Sequence, residues 1–123
     1  MSNEIKLTVS CQLSTPENLS DTFSPGQISI TQTTPRKQVG SQSIPTTAAG
    51  TAITLGGVTT AGVCYFRNLD ANNYIELGVQ SGGVFYPTVK LKPGEPAAFR
   101  HAGTPYARAN SAAVLLLYGI YED

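Results

Sequence analysis

The chain of 123 residues has no tryptophan, one histidine, one methionine and two cysteines. Catalytic and metal centres are built from clustered His, Cys, Asp or Glu, and that supply is thin here. Charge is scarce as well: Asp, Glu, Lys and Arg make up 13% of the residues, about half the usual share. Eight basic residues balance eight acidic ones, so the formal net charge is zero. No overall basic field exists to gather nucleic acid or an anionic membrane, and neither is expected as a partner. The longest uninterrupted apolar run, Ala112 to Tyr118, is too short to span a bilayer. The opening residues, Met1-Ser2-Asn3-Glu4-Ile5-Lys6, lack the apolar core of a signal peptide, so synthesis in the cytoplasm without one is expected. Cys11 and Cys64 do not make a disulfide framework, and two reduced, buried thiols are expected.

What the chain does contain suits short strands and turns: 12 Gly, 8 Pro, and many Ser and Thr. Residues 4–13 alternate cleanly. Ile5, Leu7, Val9, Cys11 and Leu13 fall on one face, with Glu4, Lys6, Thr8, Ser10 and Gln12 on the other. This period of two predicts a strand with one buried face. Residues 14–51 change character and hold few large apolar groups. Ser24-Pro25-Gly26 signals a turn, and Ile28 and Ile30 share a face of a short strand. Thr34-Pro35 and Ile44-Pro45 interrupt any ladder, because proline donates no backbone hydrogen bond. The segment reads as an extended arm laid on a neighbour, or as edge strands with long loops. No charged residue occurs from Gln38 to Phe66, which suits either a contact surface or buried strands joined by Gly and Thr turns.

The second half reads as strands at regular spacing: Val63 to Asn68, Tyr74 to Val79, Val84 to Leu91, Ala97 to Arg100, and Tyr106 to Ala109. Phe85, Val89 and Leu91 are expected on one face. Leu69 to Asn73, Ser81-Gly82-Gly83 and Lys92-Pro93-Gly94-Glu95 supply the turns. Ala112 to Tyr121 has helix formers in it, but a seven-residue helix apolar all round suits so small a domain poorly. As a strand it is apolar on both faces and needs cover on both. Val114, Leu116, Tyr118 and Ile120 are the candidate interaction face, with Ala113, Leu115 and Leu117 opposite. The cover is expected from the 14–51 arm or from a second subunit, hence a homo-oligomer of threefold or higher symmetry.

Candidate chemistry weighs little against structural explanations. His101 has no adjacent carboxylate and nucleophile, and Ser81 and Ser111 lie in no nucleophile-elbow sequence. Cys64 sits among Val63, Tyr65 and Phe66, as inert core cysteines do. Asp70, Asn72 and Glu76 fit a hairpin turn better than a calcium site. Gly56-Gly57 and Gly82-Gly83 lack the lysine and hydroxyl of a phosphate-binding loop. Arg67, Lys90, Lys92, Arg100 and Arg108 read as solvated strand positions or a small patch for an acidic partner. Tyr65, Tyr74, Tyr86 and Tyr106 read as half-buried sheet tyrosines before they read as a carbohydrate groove. No catalytic residue, cofactor or metal is expected, and the chain does not read as an enzyme.

The order Phe66-Arg67-Asn68-Leu69-Asp70, Asn73-Tyr74-Ile75-Glu76-Leu77-Gly78, Phe85 to Leu91, Leu91-Lys92-Pro93-Gly94-Glu95 and Tyr106-Ala107-Arg108-Ala109, closed by an apolar strand, resembles small β-sandwich virion proteins of tailed bacteriophages. These include head-decoration and tail-associated proteins. The resemblance covers residues 62–121. It implies a non-enzymatic virion structural protein, a capsid decoration (minor capsid) protein that binds copies of itself and coat protein. Alternatives are a tail- or neck-associated structural protein, and a carbohydrate-binding module for host attachment. The expected fold is all-β: one antiparallel β-sandwich domain over residues 1–123, of about eight strands, with a jelly-roll-like order as one form open to it. Residues 14–51 form its extended Ser/Thr/Pro-rich arm or edge-strand region.

Overall fold

The structure is a computed structural model that describes residues 4–13 and 21–123. It contains strands and turns and, among the described residues, no helix. The chain divides into two units, residues 1–33 and 34–123.

Within the first unit, β1 (Glu4–Thr8) pairs antiparallel with β4 (Gln27–Thr31), and β2 (Cys11–Leu13) with β3 (Asp21–Phe23). The register sets Ile5 opposite Ile30, Leu7 opposite Ile28, and Cys11 opposite Phe23. The alternation read from the sequence is therefore a real apolar face. Burial does not follow: Val9, Cys11, Leu13, Phe23 and Ile28 are exposed, and Ile5, Leu7 and Ile30 are half-buried. Cys11 is thus an exposed thiol and not a core one. Alternation specifies which side chains share a face; it does not specify what covers them.

The second unit is a sandwich of two four-stranded antiparallel sheets. One has the order β10 (Pro96–Arg100), β7 (Ala61–Asn68), β12 (Val114–Glu122), β5 (Lys37–Ile44). The other has the order β6 (Thr51–Ala52), β11 (Tyr106–Ala109), β8 (Ile75–Ser81), β9 (Val84–Leu91). The pairings have a simple logic. β8 pairs with β9, β7 with β10, β6 with β11, and β5 with β12, like the rungs of one long hairpin. Rolling that hairpin adds the contacts of β12 with β7 and of β11 with β8. This is the eight-stranded jelly roll. At the hairpin's tip Gly82 and Gly83 have φ of 60° and 79°, which the two-residue turn between right-twisted strands requires and a residue with a Cβ resists.

The core lies between the sheets. Ile44, Cys64, Phe66, Ile75, Leu77, Val114, Leu116 and Ile120 are each at most 1% exposed there. Tyr118, 4% exposed, belongs to the same cluster. The face of β12 formed by Val114, Leu116, Tyr118 and Ile120 is therefore covered within its own unit by the opposite sheet and needs no second subunit; of the 14–51 segment, β5 and β6 are edge strands of the two sheets, and Ile44 joins the core. The opposite face of β12 is the outward one, where Leu115 is 46% exposed. Both faces are apolar, so the sequence does not say which one turns inward.

Phe85 also departs from its expected place. Leu77 pairs with Val89 and Gly78 with Pro87, so β9 carries an extra residue, Thr88, at a bulge. Beyond it the alternation on β9 reverses. Val89 and Leu91 point to the core, while Phe85, opposite Gln80, lies on the outer face with Glu76 and Arg108. The Arg108 guanidinium lies 4.8 Å from the centre of the Phe85 ring. Phe85 is still buried.

Candidate functional site

The chemistry-bearing residues are bound into the scaffold. Cys64 donates its thiol to Gly62 O at 3.3 Å inside the core, and burial pushes its pKa up to about 11, which removes the reactive thiolate at neutral pH. The backbone N–H of His101 reaches the same Gly62 carbonyl, but its ring turns to Gly103 O, at 2.9 Å from Nδ1, and packs near Phe99. The thiol and the imidazole are not brought into hydrogen-bond contact.

Asp70, Asn72 and Glu76 do not converge on an ion. The Asp70 carboxylate accepts the backbone N–H groups of Asn72 and Asn73 at 2.9 and 2.6 Å, and these bonds hold its pKa below the ordinary value. Glu76 points instead at Arg108, 2.9 Å away. Asn68 completes the turn from beneath. It is 1% exposed, donates to Asn73 O and Leu91 O at 2.8 and 3.0 Å, and accepts from Asp70 N–H at 2.8 Å. Among the described residues no group of three or more His, Cys, Asp or Glu is placed to hold a metal. Glu122, which the sequence reading passed over, is buried and takes hydrogen bonds from the Thr59 hydroxyl and backbone N–H. Those bonds hold its pKa down, with Arg36 nearby at 3.7 Å.

The tyrosines do not share one groove. Tyr65 lies on the first sheet, Tyr74 beneath the Lys90 ammonium, and Tyr86 near the other end of the β8–β9 ladder. Tyr106 borders a shallow depression of about 310 Å³ with Val79, Gln80, Ala102, Gly103 and Thr104.

What the structure leaves unoccupied is apolar surface. On the outer side of the first sheet the register sets Tyr65, Gly119 and Val39 in one row and Arg67, Leu117 and Ser41 in the next. Val39 and Leu115 are 46% exposed, and Leu117, Tyr65 and Tyr121 are half-buried. The Tyr65 and Tyr121 rings lie 6.2 Å apart. The strand charges on this face are basic: Lys37, Arg67 and Arg100, of which Arg100 is paired with Asp123. The first unit, the hairpin of the β1–β4 and β2–β3 ladders, carries the second apolar surface, with Leu13 and Phe23 on one ladder and Ile28 on the other, each more than half exposed. The sequence singled out β12: the side named as its interaction face, Val114, Leu116, Tyr118 and Ile120, is core, and the opposite side, with Leu115, is the exposed one. Val39 and Phe23 were missed because single apolar residues among Ser, Thr and Gln raise no periodic signal.

No family model, no curated protein and no solved structure matches the chain.

Proposed function

We propose that the chain is a non-enzymatic structural protein of a bacteriophage virion, a capsid decoration protein that binds copies of itself and coat protein. Its working parts are surfaces and not reactive groups. The observation that carries the reading is the pair of apolar faces, one on the hairpin and one on the outer side of the first sheet. Among the described residues ten large apolar side chains are at least 37% exposed, four of them on the hairpin. Soluble monomers rarely leave contiguous apolar patches outside a contact site. The jelly-roll order adds support by analogy, since viral coat domains use it repeatedly. In this reading the chain is made in the host cytoplasm, ends in the virion, and assembles with threefold or higher symmetry, at the head or at the tail or neck.

Quantitative mass spectrometry of purified particles tests the reading. The protein is expected at a stoichiometry set by particle symmetry, with cross-links to coat or tail protein. Absence from purified particles overturns it. Lectins also use the jelly roll, and the depression beside Tyr106 sets an aromatic ring next to Thr104 and to Gln80, whose side-chain amide donates to Ala49 O, which supports a carbohydrate-binding module as the second reading. Saturable glycan binding lost in Tyr106→Ala would select it.

A further inference from the structure

We infer that the apolar face of the hairpin docks on the outer face of the β10-β7-β12-β5 sheet of a second copy, each copy giving its hairpin and receiving another. The inference rests on the reading of the chain as a self-associating assembly protein and names the surfaces that meet.

The hairpin needs a cover. A two-stranded ladder alone is marginal in water, and here the cross-strand pairs Leu7–Ile28 and Cys11–Phe23 carry exposed apolar side chains, Ile28 and Phe23 each more than half exposed. The sheet face of Val39, Leu115, Leu117, Tyr65 and Tyr121 is apolar too, with Val39 and Leu115 exposed and the other three half-buried.

Charge selects the pairing of unlike faces over like ones. Residues 1–33 hold one basic and three acidic residues, whereas residues 34–123 hold seven basic and five acidic. The complement is local too. Asp21, opposite Leu13, is the charge among the described residues that shares a face with Leu13 and Phe23. The receiving face is edged by Lys37 and Arg67. Hairpin against hairpin sets Asp21 near another Asp21, and sheet against sheet sets arginine near arginine. Hairpin against sheet sets opposite charges together.

Area sets the strength of the contact. The β1–β4 ladder of five pairs and the β2–β3 ladder of three are about 17 and 10 Å long and, with side chains, about 10 Å wide, so together they offer on the order of 270 Å². One such contact is small. Each contact lies well below the roughly 800 Å² that one partner contributes to a standard interface, so a copy that gives and receives makes two weak contacts, and association depends on both being made. Because the two faces differ, the contact is heterologous and closes into a ring where the rotation permits.

The test uses the native thiol. Cys11 is exposed on the hairpin and Cys64 is buried. Full-length protein is mixed with a length-tagged copy carrying Cys11→Ser with Ser41→Cys or Ser43→Cys, and cross-linked with a short bismaleimide. The expected product joins one chain of each kind, through Cys11 of the first and the introduced cysteine of the second. Ile28→Glu on the hairpin and Leu115→Glu on the sheet are each expected to weaken self-association about tenfold or more while circular dichroism keeps its β signal. Cross-links from Cys11 only to Cys11, association indifferent to both substitutions, or a monomer by light scattering at high micromolar concentration would overturn the contact. The particle measurement decides the assembly reading separately.

Discussion

The ring of Tyr65 lies across the backbone of Gly119, so close that a Cβ there would overlap Tyr65 Cε1. The two are direct partners on β7 and β12, and the aromatic ring covers the strand where the glycine leaves it bare. A second glycine, Gly78, meets backbone instead: a Cβ there would overlap the Tyr86 carbonyl at the bulge. The difference predicts two costs. Gly119→Ala turns aside a half-exposed ring and is expected to cost about 1 kcal/mol, whereas Gly78→Ala must displace the β9 backbone and is expected to cost about 3 kcal/mol. Urea denaturation of the two variants measures both, and equal costs would contradict the distinction.

Asn68 is expected to be the most sensitive polar residue in the sandwich. Asn68→Ala removes three hydrogen bonds and leaves the carbonyls of Asn73 and Leu91 without their side-chain donor, a loss of about 3 kcal/mol. Asn68→Asp sets a carboxylate against those carbonyls. It is expected to be at least as damaging at neutral pH and to recover in part under mild acid, when the carboxyl becomes a donor. Chemical denaturation at the two pH values reads the recovery.

Leu116 and Leu115 are neighbours with opposite roles. Leu116→Ala opens a cavity between the sheets and is expected to cost about 2–5 kcal/mol. Leu115→Ala, on the exposed face, is expected to change stability by less than about 1 kcal/mol. Thermal melts at low protein concentration separate the two.

Glu122 is expected to make the sandwich sensitive to acid. The Thr59 hydroxyl bond is the largest influence holding its pKa below the ordinary 4.5. A carboxylate with a depressed folded pKa stabilises fully above its unfolded value, and that stability is lost as pH falls through the folded one. Stability is therefore expected to be flat from neutrality to about pH 5 and to fall below 4.5. Asp70, lowered by the backbone N–H groups of its turn, adds to the same fall. Thr59→Val should raise the Glu122 pKa and flatten the acid limb, which denaturation across that pH range detects.

Much of the architecture was legible in the residues. The alternation of residues 4–13 is a strand path, Asp70, Gly82-Gly83 and Pro93-Gly94 fall at turns, and Asn68 ends β7 with its side chain bracing the first of them. Three things were not legible, each for a physical reason. The bulge at Thr88 leaves no mark in composition, so the reversal of Phe85 is invisible until the partner strand is known. β12 is apolar on both sides, so its inward side depends on where the other sheet lies. Finally, pairing partners such as β5 and β12 are set by the rolling of the whole hairpin, and no local signal encodes them.

β12 lies inside its sheet, between β7 and β5, yet it follows every other sandwich strand in the chain. The β8–β9 rung closes over two residues, while the β5–β12 rung waits for everything between them. Before Val114 to Glu122 emerge from the ribosome, β7 and β5 have no strand to join them, and the lower surface of the core has no Leu116 or Ile120. A chain cut short by a single strand is therefore unfinished at its centre and not at its rim. Only copies that carry β12 present a finished sheet, so the strand made last among the twelve described is the one that joins β7 and β5.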